Sequence, residues 1–188
     1  MKINAMPRFN LAISILCALF LLAPPCPSYG KVFYSKSEAM EIAFGKGAAI
    51  ENLSLFPSDE ESAKIEQLAQ VKLDSKMFTF YVGKQQEKIT AYAAIETRTV
   101  RTMPETLLVV LEPDGTLRGV TTLAFHEPPE YQAPDRWFAQ LAKKALSELS
   151  FSAGVQGVTG ATLSTRSALD SVRKVLAVYQ VMIKEQQP

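Results

Sequence analysis

Apolar positions along the chain change period more than once, and each change marks a new kind of element. Ala39, Met40, Ile42, Ala43 and Phe44 recur at helical spacing behind a capping box, Ser35-Lys36-Ser37-Glu38. Gly45 and Gly47 stop that helix. Ala48 to Phe56 is mixed and reads as extended. A second capping box, Ser58-Asp59-Glu60-Glu61, opens a helix whose inner face is Ala63, Ile65, Leu68 and Ala69. After Asp74 the pattern shortens to that of strands: Met77 to Val82, a turn over Gly83 to Glu87, then Ile89 to Thr99. Thr106 to Leu111 is apolar and β-branched enough for a buried strand. Asp114-Gly115 is a strong hairpin signal, and Leu117 to Phe125 is the returning strand.

Helical spacing then resumes. Trp137, Phe138, Leu141, Ala142, Ala145, Leu146 and Leu149 predict one amphipathic helix from about Asp135, after a loop stiffened by Pro128 and Pro129. From Thr165, the residues Ala168, Leu169, Val172, Val175, Leu176, Tyr179, Met182 and Ile183 predict the longest helix. Short turns between strands require antiparallel pairing. The expected fold class is therefore α+β, an antiparallel sheet of hairpin-connected strands packed with flanking helices. An N-terminal helical segment, residues 31–75, is expected to form one unit with residues 76–188.

The first thirty residues read differently. Lys2 and Arg8 precede an apolar run from Leu11 to Ala23, Pro24, Pro25 and Pro27 break it, and Ser28 and Gly30 place small residues before Lys31. That is the order of a secretory signal peptide, residues 1–30, and the run is short for a membrane span of roughly 20 residues. The expected location is extracytoplasmic, periplasmic in a host with an outer membrane. An uncleaved leader would instead be an N-terminal membrane anchor. Both cysteines, Cys17 and Cys26, lie in the leader, so the remaining chain has no disulfide, thiolate metal site or cysteine nucleophile. Without Lys2 and Arg8 the balance is 18 basic to 19 acidic residues, a net charge of −1. Nothing in that balance points to nucleic acid as a partner.

Few residues offer chemistry. His126 is the one histidine, and no Gly-x-Ser-x-Gly elbow accompanies it. Gly45 and Gly47 lack the preceding strand and third glycine of a dinucleotide fingerprint. The densest polar stretch runs from Gln156 to Thr165, with four hydroxyl residues and two glycines ahead of a long helix. Hydroxyls and free N–H groups at a helix mouth suit a phosphate, and they equally suit a helix cap. Gly160 and Ala161 keep side chains clear of the backbone there, and Arg166 and Arg173 are candidate cations.

Thr159-Gly160-Ala161-Thr162-Leu163-Ser164-Thr165 resembles the Ser/Thr-Gly-Ala-Thr signature of the FMN-binding domain family. That family includes the covalent-flavin G subunit of the Rnf complex and C subunit of the sodium-pumping NADH:quinone oxidoreductase. Glu87 to Thr97, Leu111 to Leu117 and His126-Glu127-Pro128-Pro129-Glu130-Tyr131 resemble further family segments more loosely. The resemblance implies FMN as cofactor, joined through a phosphoester to Thr162 by a separate flavin transferase. It implies cofactor contacts from Thr159, Gly160, Ala161, Leu163 and Ser164, and also from Met103, Glu105, His126, Glu127 and Tyr131. It implies a redox carrier passing electrons between other redox proteins, some of them membrane-bound, rather than an enzyme with its own substrate. One position departs: family members carry Asp three residues before the first hydroxyl of the motif, and Gln156 stands here. The departure leaves open an exported, non-redox binding module whose Thr/Gly/Ser turn holds an anion or noncovalent FMN.

Overall fold

The computed structural model describes residues 30–186. The signal peptide expected over residues 1–30 therefore lies outside the described residues except for Gly30. Six strands form one sheet: β1 (Lys31–Val32), β2 (Ala49–Leu55), β3 (Phe78–Gln85), β4 (Lys88–Thr99), β5 (Pro104–Leu111) and β6 (Leu117–Phe125). Their spatial order is β1-β6-β5-β4-β3-β2, and every pairing is antiparallel. Residues 31–75 thus supply both edge strands, β1 beside β6 and β2 beside β3. The helices are α1 (Lys36–Phe44), α2 (Asp59–Ala69), α3 (Asp135–Phe138) and α4 (Thr162–Tyr179), the last continued by a π-helical stretch over Gln180–Lys184.

Strand alternation divides the core in two. Phe80, Val82, Tyr92, Ala94, Leu107, Val109, Leu111 and Leu117 face α4 and α2, where Ile65, Val172, Val175 and Val178 meet them. Ala91, Ala93, Leu108 and Val110 face the other way, toward Ala39, Met40 and Ala43 of α1. Both capping boxes form: Ser35 with Glu38, and Ser58 with Glu61. The sheet is therefore sandwiched, with its larger face under α4.

Three expectations are corrected. The first hairpin turns on Gln86 and Glu87, both with positive φ, rather than across Gly83. Gly83 stays within β3 because Phe44 lies over it; a Cβ there would sit 2.2 Å from the Phe44 ring. The helix expected from Asp135 to Leu149 is broken. α3 has one turn, short 3₁₀ turns follow at Ala139–Leu141 and Leu146–Glu148, and Lys143 between them has φ 62°. The Lys143 N–H bonds to the Leu117 carbonyl at 3.0 Å instead of continuing a helix. Separate turns still bury Trp137, Phe138, Leu141 and Leu149, so the apolar spacing is met without a continuous helix. Finally, α4 begins at Thr162, three residues before the first position its apolar period could reveal.

Candidate functional site

The approach to α4 is fixed by its backbone. Trp137 Nε1 donates to the Gln156 carbonyl at 2.5 Å, and the Gln140 side chain accepts from the Gln156 N–H at 2.8 Å and donates to its carbonyl at 3.3 Å. The Gln156 side chain is left exposed. A tight turn follows, with the Ala161 N–H bonded to the Val158 carbonyl at 3.0 Å. Gly160 occupies its third position at φ 86°, while Thr159 has no positive φ. This is a type II turn, which requires a positive φ at that place and so favours glycine.

Helix α4 then starts without a side-chain cap, because Ala161 holds the N-cap position and has no acceptor. The first bond of the helix is Thr165 N–H to the Ala161 carbonyl, 3.0 Å. The N–H groups of Thr162, Leu163 and Ser164 therefore have no partner among the described residues. The neighbouring hydroxyls differ sharply. Thr165 is fully buried and its hydroxyl turns back to the carbonyls of Ala161 and Thr162, at 3.1 and 3.0 Å. Ser164 is buried and donates its hydroxyl to the Tyr131 carbonyl, fastening the loop after β6 to the helix. The Thr162 hydroxyl is exposed, with only a long 3.4 Å contact to the Val158 carbonyl.

The facing wall is the β4–β5 connection, and Glu127 organises it. Its Oε1 accepts from the N–H groups of Thr102 at 2.6 Å, Met103 at 2.8 Å and Arg101 at 3.2 Å, and from the Thr102 hydroxyl at 3.2 Å. The Thr102 N–H, joined by those of Met103 and Arg101, holds this carboxyl below the usual range against the opposing effect of burial. Between wall and helix lies a cleft of about 160 Å³ lined by Val100, Arg101, Glu127, Tyr131, Gly160, Thr162, Leu163 and Ser164. Leu163 and Tyr131 are 49% and 37% exposed, so its rim is apolar.

Of the residues named from sequence, the fold brings Gly160, Thr162, Leu163, Ser164, Glu127 and Tyr131 together in this cleft. Thr159 is exposed on the turn, and Ala161 is buried at the cap. Met103 contributes its N–H to Glu127, is partly exposed and does not line the cleft. His126 is held by its backbone N–H on the Pro104 carbonyl, 3.0 Å, and its ring lies against Gly30. Glu105 is buried within β5 and does not line the cleft. The expected cations are also placed elsewhere. Arg173 lies eleven residues beyond Thr162, roughly 16 Å along the helix, and Arg166 is exposed on α4. The basic group in the cleft is Arg101. It stands on a hairpin connection with no motif around it, and Val100 beside it is equally unmarked.

Three free N–H groups, the positive end of an 18-residue helix and an arginine on the opposite wall form a site for an anion. A cleft this small has room for a phosphate-sized anion, and its rim at Leu163 and Tyr131 is apolar. Residues 103–177 match the family model of the FMN-binding domain. The match runs from the hairpin wall through β5, β6 and the turn into α4. The cofactor of that domain is FMN. No curated protein matches the chain.

Proposed function

We propose that this FMN-binding domain serves as an extracytoplasmic electron carrier, with the flavin phosphate at the first turn of α4 and esterified to Thr162. The observation that carries the reading is the uncapped helix mouth. The N–H groups of Thr162, Leu163 and Ser164 lack partners, and the one exposed threonine hydroxyl in the helix's first turn stands among them. These N–H groups and Arg101 would hold the phosphate, each favourable charge contact at the helix end contributing about 0.3–1 kcal/mol. Glu127 keeps the hairpin wall in place, and Leu163 and Tyr131 shed water from the rim. When bound, FMN supplies one- and two-electron chemistry.

Covalent attachment would proceed with Thr162 Oγ1 forming a new P–O bond and losing its proton. The activated FMN donor of a flavin transferase would release its leaving group in the same step. Exposure of Thr162 and of the Gln156 side chain supports access by such an enzyme. The leader-like order of residues 1–30 supports export, and a covalent link would keep the cofactor from diffusing away outside the cell. On this reading the electron donor and acceptor are other redox proteins.

The test is coexpression with a flavin transferase, followed by denaturing electrophoresis and flavin fluorescence of the band. Wild type is expected to fluoresce, Thr162→Val to be dark, and Thr159→Val to remain fluorescent. A fluorescent Thr162→Val band would overturn the assignment of the acceptor. Gln156→Asp measures whether the departure at that position limits attachment.

A further inference from the structure

The sheet face beneath α4 holds a carboxyl group that the cleft does not use. Glu105 on β5 is 1% exposed, and neither of its carboxyl oxygens has a hydrogen-bond partner among the described residues. Alternation places it on the same side as Leu107, Val109 and Leu111, under α4. Directly across from it stand Arg98 of β4 and Phe125 of β6. Arg98 reaches Asp170 of α4 at 3.5 Å, and Asp170 is eight residues beyond Thr162, roughly 12 Å along the helix. Glu105 stands two residues past Met103 of the hairpin wall, and its partner Phe125 is two residues before Glu127, so the carboxyl and the cleft share one end of the sheet. Other buried hydroxyls without a partner include Thr122, opposite Leu107 on β6, and Ser167 and Ser171 on α4. Unpaired buried polar groups are uncommon in folded proteins.

None of the charged groups on the neighbouring elements pairs with Glu105, and Arg101 of the β4–β5 connection lines the cleft instead. From β4, Arg98 pairs with Asp170 and Glu96 pairs with Lys174. From α4, Lys174 is divided between Glu96 and Asp74, Arg166 is exposed, and Arg173 faces a groove beside α2. From the loop after β6, Glu127 is taken by the hairpin N–H groups and His126 lies against Gly30. Among the described residues no cation pairs with the carboxyl, and burial pushes it up to about 8.

We propose that Glu105 makes the cleft's hold on a phosphate-bearing ligand depend on pH: the neutral acid permits binding, and the ionised carboxylate weakens it. The inference rests on the cleft taking FMN, as proposed above. Binding and ionisation at two sites are linked reciprocally, so an anion in the cleft raises the proton affinity of Glu105 by the factor that ionised Glu105 subtracts from anion affinity. At a separation on the order of 12 Å and an effective dielectric of about 20, each unit of phosphate charge couples to the carboxylate by roughly tenfold in affinity at low salt. The phosphate of FMN loses its second proton near pH 6, so it stays a dianion across the range in which Glu105 titrates.

The experiment uses the full chain produced without a flavin transferase and titrates it with FMN at constant low ionic strength from pH 7 to pH 9.5. Wild type is expected to lose at least about tenfold in affinity across that range, and Glu105→Gln to stay level. Riboflavin, which lacks the phosphate, serves as the neutral probe and should show no such loss. Parallel losses in wild type and Glu105→Gln, or level binding in both, would overturn the inference while leaving FMN binding intact. Failure of FMN to bind either protein at any pH would overturn the functional reading and this inference with it. Carbon NMR of the Glu105 carboxyl in wild type tests the same link independently of the variant's folding. Its midpoint should lie well above the ordinary carboxylate range and rise when FMN is added; an ordinary midpoint, or one unmoved by FMN, contradicts the inference.

Discussion

Replacing Glu105 by glutamine should stabilise the protein, and by an amount that grows with pH. The side chain is fully enclosed and unpartnered, and burial raises its carboxyl from the ordinary 4.5 to about 8. Between those values the folded chain keeps a proton that the unfolded chain has released. Folding stability therefore falls as pH rises through this window, is unaffected by the group well below it, and has lost the full amount above pH 8. The loss works out at about 1 kcal/mol at pH 5, about 3 at pH 7 and about 5 at pH 9. Glutamine fills nearly the same space, leaves a neutral polar group of similar burial cost, and does not titrate. Urea denaturation of both proteins at those three pH values gives the comparison directly. The gap between the two unfolding free energies should widen by several kcal/mol from pH 5 to pH 9, with the variant the more stable. A constant gap, or a wild type that gains on the variant as pH rises, would refute the assignment of Glu105 as a buried acid without a partner.

Other expectations concern the walls and the core. Lys174 is 3% exposed and paired with Glu96 and Asp74; Lys174→Met should cost about 3–5 kcal/mol of unfolding free energy in urea denaturation by leaving Glu96 buried alone, and Glu96→Leu in the same chain should recover much of it. Glu127→Ala should speed amide hydrogen exchange at Arg101, Thr102 and Met103, with Glu127→Gln intermediate. Because the Glu127 carboxyl is held below its usual range, the same amides should loosen as acid protonates it, and unchanged exchange in Glu127→Ala would show that the wall stands without the carboxylate. Gly160→Ala meets open space but must take φ 86°, so a loss of about 1 kcal/mol is expected from backbone strain. Thr162→Val, on an exposed side chain, should leave stability within about 0.5 kcal/mol of wild type.

What the sequence made legible was local and repetitive. Ser35 and Ser58 announce their helices because a cap and its reciprocal glutamate sit three residues apart. Asp114-Gly115 marks its hairpin because glycine is needed at φ 88°. The break after Leu141 was not legible, since single turns bury the same apolar spacing that a helix would. The first turn of α4 was hidden for the opposite reason: Thr162 and Leu163 face outward and leave no apolar period. The motif at Thr159 to Thr165 stood out by composition, yet only the fold separates its hydroxyls, tying up those of Ser164 and Thr165 and leaving that of Thr162 exposed. Arg101 and the burial of Glu105 depend on which loops and helix close over a strand end, and no short-range pattern carries that information.

The central claim is that the mouth of α4 holds FMN through Thr162. Peptide mapping of the full chain, purified after coexpression with a flavin transferase, tests it most directly. The peptide containing Thr162 should gain the mass of one FMN less one water, with fragmentation placing the addition on that residue. An unmodified Thr162 peptide, or the same addition on Thr159 or Ser164, would contradict the account.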